Sequence, residues 1–323
     1  MPLPKPTLTE SRDVFMNRCM SDDTMNEEYP RNNQRFAVCN NLFSNKTQRK
    51  KYSFNYKKFR RAFSIGFKKL FRSQEKINFK IAKKYYQEGF NKSIDAFLDS
   101  NIPIKDNYVE FFNKQNTQQM YIDIYVDTGV RFQKWYMDNY KNFIKKQIEV
   151  EDNVIVSYFT NYAVNSTVTK QTSVQATALK NVETLFTKML EDEDFKKDSF
   201  EGKSRRLHKE LDKRALWEAR RVVKTETTLA SNLAVNNGAT TLFKPEELMK
   251  DWIIGFSQEH RAGHLALDRS DPIPFNDNFV NPETGQVLPF PGQGIASEVI
   301  NCSCSSAPFP KPDVLEETDN RID

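Results

Sequence analysis

The sequence predicts a mainly α protein with a small α+β, turn-rich C-terminal module, and three observations carry that class. First, residues 31–244 contain a single proline, Pro103, whereas eight of the fourteen prolines and five of the ten glycines lie beyond residue 254. Proline inside a helix costs about 3 kcal/mol, so the long proline-poor stretch permits helices and the proline-dense end does not. Second, apolar residues recur at three- and four-residue spacing through that stretch, the period of a helix face. Third, the 323 residues are 28% charged and 38% hydrophobic with a mean hydropathy of -0.70, and no run approaches the ~20 apolar residues of a membrane span. The opening Met1-Pro-Leu-Pro-Lys-Pro has no apolar core of a signal peptide, and four cysteines are too few for a disulfide scaffold, so a reducing site of synthesis is the expectation.

Residues 1–45 read as a short Cys-containing helical segment. Cys19 and Cys39 would face each other across a hairpin turned at Tyr29-Pro30, and packing of two small side chains is the expected role. Residues 46–100 form a basic aromatic helical region. Between Lys46 and Lys84 there are fifteen Lys/Arg against one acidic residue, Glu75. This segment carries +14, so a chain of net charge +5 has a remainder at −9. Phe59, Phe63, Phe67 and Phe71 recur every four residues and stack along one stripe of a helix. Lys50, Lys51, Lys57, Lys58, Arg60, Arg61, Lys68, Lys69 and Arg72 are the candidate nucleic-acid-binding residues around that stripe. Cationic side chains release phosphate counterions on contact, and aromatics can pack inward or stack on bases. An acidic protein partner and a membrane surface are the other two readings of the same segment.

Residues 101–203 form a helical body. Phe132, Trp135, Tyr136, Tyr140, Phe143, Ile144 and Ile148 give one helical face; Leu179, Val182, Leu185, Phe186, Met189 and Leu190 give another, after a Thr/Ser-rich approach expected to fray. Residues 204–310 form the terminal module. Its opening helix runs through Leu207, Leu211, Ala215, Leu216, Ala219, Val222 and Val223, with Asn237-Gly238 as the expected C-cap, and Trp252, Ile253 and Ile254 make a short strand. An acidic tail, residues 311–323, follows.

Chemistry-bearing patterns are sparse. His260 and His264 form H-x-x-x-H, yet Arg261 stands where a zinc protease needs its glutamate. Cys302-Ser303-Cys304 is a C-x-C pair, and His260, His264, Cys302 and Cys304 together offer four zinc ligands. The same four serve equally as small buried residues and satisfied polar groups. The H-x-E and P-C-x-x-C halves of a zinc deaminase are missing, and no Gly-rich phosphate loop occurs, which excludes ATP-driven and dinucleotide-dependent chemistry.

Three blocks between residues 205 and 304 resemble the Mu F-like minor head protein family of tailed bacteriophages. They are Ala219–Thr228, with its Thr225-Glu226 pair; Trp252 followed by Arg261, His264, Leu267 and Asp268; and Glu298-Val-Ile-Asn301-Cys302-Ser-Cys304. Arg269 stands where the family commonly has glycine, and Ser303 where it often has arginine. The stretch from Phe15 to Cys39 also looks like a short Cys-containing segment of phage head and prohead proteins. The resemblance implies a non-enzymatic virion protein at the head interior or portal vertex. Its partners would be the portal or major capsid protein and packaged double-stranded DNA, and no cofactor is required, although zinc stays open. Glu226, Arg261, His264 and Asp268 are expected to form one polar network fastening the long helix to the module. A zinc-dependent nuclease is the rival reading.

Overall fold

The computed structural model describes residues 3–4, 11–49, 54–100, 112–140, 150–256, 260–311 and 314. Lys50 and Lys51, the 141–149 end of the second expected helix and most of the acidic tail lie outside the described residues. The chain is mainly helical with a small antiparallel C-terminal sheet, as the proline distribution predicts.

Three helices open the chain: α1 (Arg12–Met20), α2 (Asp23–Glu28) and α3 (Asn32–Arg49). Ser11 and Asp22 cap α1 and α2 by accepting hydrogen bonds from the amides of Val14 and Met25. The hairpin turns at Tyr29-Pro30, and Phe15, Met16, Cys19, Met25 and Cys39 form its own small core. The two cysteines are joined in a disulfide there, which corrects the expectation of simple packing. Closing a loop across a sequence separation of 20 compensates for a core too small to hold three short helices unaided.

The body is built on three long helices, α4 (Phe54–Ser100), α5 (Lys114–Tyr140) and α9 (Phe200–Leu242), with α6 (Asp152–Ser166), α7 (Val168–Glu191) and the single-turn α8 (Glu193–Lys197) around them. The Phe63–Phe67–Phe71 stripe of α4 is buried, and its rings meet Trp135, Phe132 and Phe256 edge-on at centroid distances of 5.3, 5.1 and 5.4 Å. Each such ring contributes about 2–3 kcal/mol of burial. Asn78 ties the three long helices together by donating to Thr128 Oγ1 of α5 and Thr227 Oγ1 of α9, at 2.9 and 2.8 Å.

Three boundaries differ from expectation, one of them the strand expected at Trp252, Ile253 and Ile254, which runs from Leu248 to Ile253. The Thr/Ser-rich approach does not fray: α7 begins at Val168, and the hydroxyls of Thr172 and Thr177 donate to carbonyls four residues back. Asn237-Gly238 is not a cap, because α9 continues to Leu242. Gly238 is there for close approach: a Cβ would lie 3.3 Å from the Gln133 carbonyl oxygen of α5, while Asn237 donates to Gln133 Oε1 at 2.9 Å.

A 3₁₀ turn at Pro245–Glu247 leads into β1 (Leu248–Ile253), the central strand of a sheet ordered β2 (Ile273–Pro274), β1, β5 (Ser305–Pro310). Both neighbours run antiparallel to β1, with Trp252 opposite Ser306 and Lys250 opposite Pro308. Pro274, Pro308 and Pro310 sit on the outer strands, where a missing N–H costs no ladder bond. α10 (Ala262–Arg269) lies between β1 and β2, and the paired β3 (Phe279–Val280) and β4 (Val287–Leu288) with α11 (Ala296–Val299) lie between β2 and β5. Trp252, Leu267, Phe279, Leu288, Cys302 and Cys304 make the small second core of this module.

Candidate functional site

Two regions bear on function: the outer face of α4 and the second core of the terminal module. Along α4 the four-residue period that buries the phenylalanines turns the basic residues outward. Lys57, Lys58, Arg61, Lys69 and Arg72 are exposed, as are Lys76, Lys80 and Lys84 farther along, and Lys68 is half-buried. From Lys57 to Lys84 this surface runs ~40 Å at the helical rise of ~1.5 Å per residue.

Arg60 is the exception and a correction. Its Nε donates to Asp251 Oδ2, and its Nη2 donates to Asp268 Oδ1 and Asp268 O at 2.8 Å each and to Trp252 O at 3.2 Å. Tyr56 Oη donates to the same Asp251 oxygen at 2.7 Å. Arg60 therefore fastens α4 to β1 and α10 instead of facing solvent. Burial pushes the Asp251 carboxyl up to about 6, against the pull of Arg60 and Tyr56. A carboxylate inside the largely apolar strand Leu248–Ile253 was the available signal for this anchor, and only the fold supplies its partners.

The expected network of Glu226, Arg261, His264 and Asp268 does not form. Glu226 points into the helical body, accepting from Tyr125 Oη at 2.7 Å and from Lys170 Nζ at 3.1 Å. Arg261 donates to the Ile300 carbonyl at 2.7 Å. Asp268 takes Arg60 and the Ile254 amide, the latter at 2.9 Å. The four residues thus serve three joints: Glu226 the helical body, Asp268 the contact with α4, and Arg261 and His264 the contact between α10 and α11.

His264 belongs to another cluster, built from α10, α11 and the turn before β5. Its Nε2 lies 2.9 Å from Glu298 Oε2. Glu298 also accepts from Asn281 Nδ2 at 3.0 Å and from Thr284 Oγ1 at 2.9 Å. Burial of Glu298 works against ionisation, but these hydrogen bonds hold its carboxyl below the usual range. Gly263 makes room for Asn281: a Cβ there would fall 2.0 Å from Asn281 Oδ1.

On the other side of the ring, Nδ1 lies 3.8 Å from Cys302 Sγ and 3.7 Å from Cys304 Sγ. The three ligand atoms are all within 4.8 Å of one another, and the three residues are only 2–3% exposed. Asn301, at φ 58, makes the left-handed turn that brings the cysteines in, with its amide 3.4 Å from Thr225 Oγ1. Helix α9 grips the same turn: Thr228 Oγ1 donates to the Cys302 carbonyl and Asn232 Nδ2 to the Cys304 carbonyl, the latter at 3.0 Å. The neighbouring Cys304 sulfur, together with burial, pushes the Cys302 thiol up. The Cys302 sulfur in turn, with His264 assisting, holds Cys304 well down despite its burial.

Three of the four expected zinc ligands therefore converge. His260, half-buried ahead of α10, is not in the group. Glu298, Asn281 and Thr284 were missed as site residues. Glu298 stands within the third motif block, but nothing local marks it as the partner of His264.

Comparison of the chain with protein-family models, curated proteins and solved structures finds no match.

Proposed function

We propose that this chain is a structural minor head protein of a tailed bacteriophage, sited at the head interior or portal vertex, whose α4 surface meets packaged double-stranded DNA. The observation that carries this reading is the division of α4 into a buried phenylalanine stripe and an exposed basic face, in a chain whose remaining charge is −9. Cationic side chains spaced along one helix face neutralise successive phosphates without reading base sequence, which suits a protein that must touch any packaged genome. The residues of the three Mu F-like blocks supply the head-protein part of the reading. Trp252, Leu267, Cys302 and Cys304 of those blocks share the second core, while Thr225 Oγ1 accepts from the Asn301 amide and Thr228 Oγ1 donates to the Cys302 carbonyl.

The nuclease rival finds less support. A catalytic metal needs an open coordination position reached by substrate, whereas His264, Cys302 and Cys304 are buried. The deciding experiment is duplex binding by the purified chain as a function of salt. With about five or six phosphate contacts, log K should fall against log salt with a slope of about −5. Absence of binding, or binding that ignores salt, removes the DNA contact; fractionation of empty and full heads tests the location separately.

A further inference from the structure

We infer that His264 Nδ1, Cys302 Sγ and Cys304 Sγ form a binding site for one soft divalent cation, zinc, that staples the terminal module. In a tetrahedral Cys–His zinc site, with metal–sulfur bonds of ~2.3 Å and metal–nitrogen bonds of ~2.0–2.1 Å, sulfur and nitrogen stand ~3.6 Å apart. The observed separations of 3.8 and 3.7 Å match that edge. Two thiols converging on a single imidazole nitrogen exceed what one hydrogen bond requires, because Nδ1 has one lone pair to share.

The surroundings have the form of a metal site's outer shell. Glu298 engages Nε2 at 2.9 Å, which fixes the proton on that nitrogen and leaves Nδ1 free to ligate. Asn281 and Thr284 orient the carboxylate in turn. The Cys304 amide donates to Cys302 Sγ at 3.4 Å, which holds that sulfur in place. On binding, each cysteine ligates as a thiolate, any thiol proton it carries leaves to solvent, and no electron moves.

Among the described residues no fourth His, Cys, Asp or Glu joins the group. The burial that argues against catalysis suits a staple. The ion would join α10 to the turn entering β5, across a module whose second core has only six buried residues.

The test is metal analysis of the full chain. About one equivalent of zinc per chain is expected, and cobalt substitution should give the near-ultraviolet thiolate-to-cobalt charge-transfer band. Cys302→Ser and Cys304→Ser should each abolish both signals. Glu298→Gln should retain the band but weaken affinity in chelator competition by about 10- to 100-fold, the usual effect of removing a ligand's orienting partner. If the serine variants fail to fold, cobalt titration and the zinc dependence of Tm in the unsubstituted chain still decide. A folded chain with Cys302 and Cys304 reduced that takes up neither metal overturns the site, as does a full equivalent of zinc in Cys304→Ser. Zinc uptake and duplex binding are separate readouts, so either can fail alone.

Discussion

Lys250 shows how much one side chain's surroundings can alter its chemistry. It lies on the central strand of the sheet, buried, with Nζ donating to the Pro289 carbonyl at 2.7 Å and set over the rings of Phe279 and Phe275 at 5.3 and 5.6 Å. Burial lowers its pKa to about 8, with Asp277 opposing. Below about pH 8 the ammonium is charged in both folded and unfolded chains, and the fold bears the full cost of burying it. Between about 8 and 10.5 the unfolded chain holds a proton that the folded chain has lost, so stability rises with pH. Urea unfolding of the natural chain and of Lys250→Met checks this. The stability difference between the two should move in favour of the natural chain by about 2–3 kcal/mol from pH 7 to pH 10. Parallel profiles would show that Lys250 keeps an ordinary affinity for its proton.

At the scale of elements, the joint between α4 and the terminal module rests on Arg60. The Arg60 side chain is 31% exposed, but the Asp251 side chain beneath it is 2% exposed, and removing the arginine leaves that buried carboxylate without its cationic partner, with the Tyr56 hydroxyl still donating to it. Arg60→Met should cost about 3–5 kcal/mol in chemical denaturation, while Arg60→Met combined with Asp251→Leu should recover most of that loss. Equal costs for the single and double variants would mean the pair is not coupled. The hydrophobic stripe of α4 is legible in the sequence, because its period is local and four phenylalanines repeat it. The inward turn of Arg60 is not. It carries the same charge and spacing as its neighbours, and Asp251 is 191 residues away. The C-cap expected at Asn237-Gly238 failed for a related reason. Glycine at a helix end and glycine under a crossing helix look identical in sequence, and the approach of Gln133 distinguishes them.

For the whole molecule, the separation of charge is the organising feature. The +14 segment, Lys46–Lys84, lies largely on one long helix, and the rest of the chain sums to −9. Reversing three exposed positions, Lys69→Glu, Arg72→Glu and Lys76→Glu together, should leave the buried stripe untouched and reduce duplex affinity at least 100-fold at moderate salt. The salt slope should become shallower by about 3. Loss of helicity in that variant would assign the basic residues to folding, and unchanged affinity would move the DNA contact elsewhere. The chain's two other cores, in the opening hairpin and the terminal module, are small, and each holds a pair of cysteines. One pair is bridged as a disulfide; the other faces a histidine.

What the sequence determined by itself was the class of fold, the place where helix gives way to turn, the phenylalanine stripe and the concentration of positive charge. All four depend on neighbours within a turn or two of helix, or on the local intolerance of helices for proline. Only the tertiary structure decided which charges face inward, that Glu226 serves the body while His264 serves the module, and that His264 meets cysteines 38 and 40 residues downstream. Those pairings depend on how α9 and α4 seat the module. That seating is the combined result of packing, burial and hydrogen bonds between segments far apart in the chain.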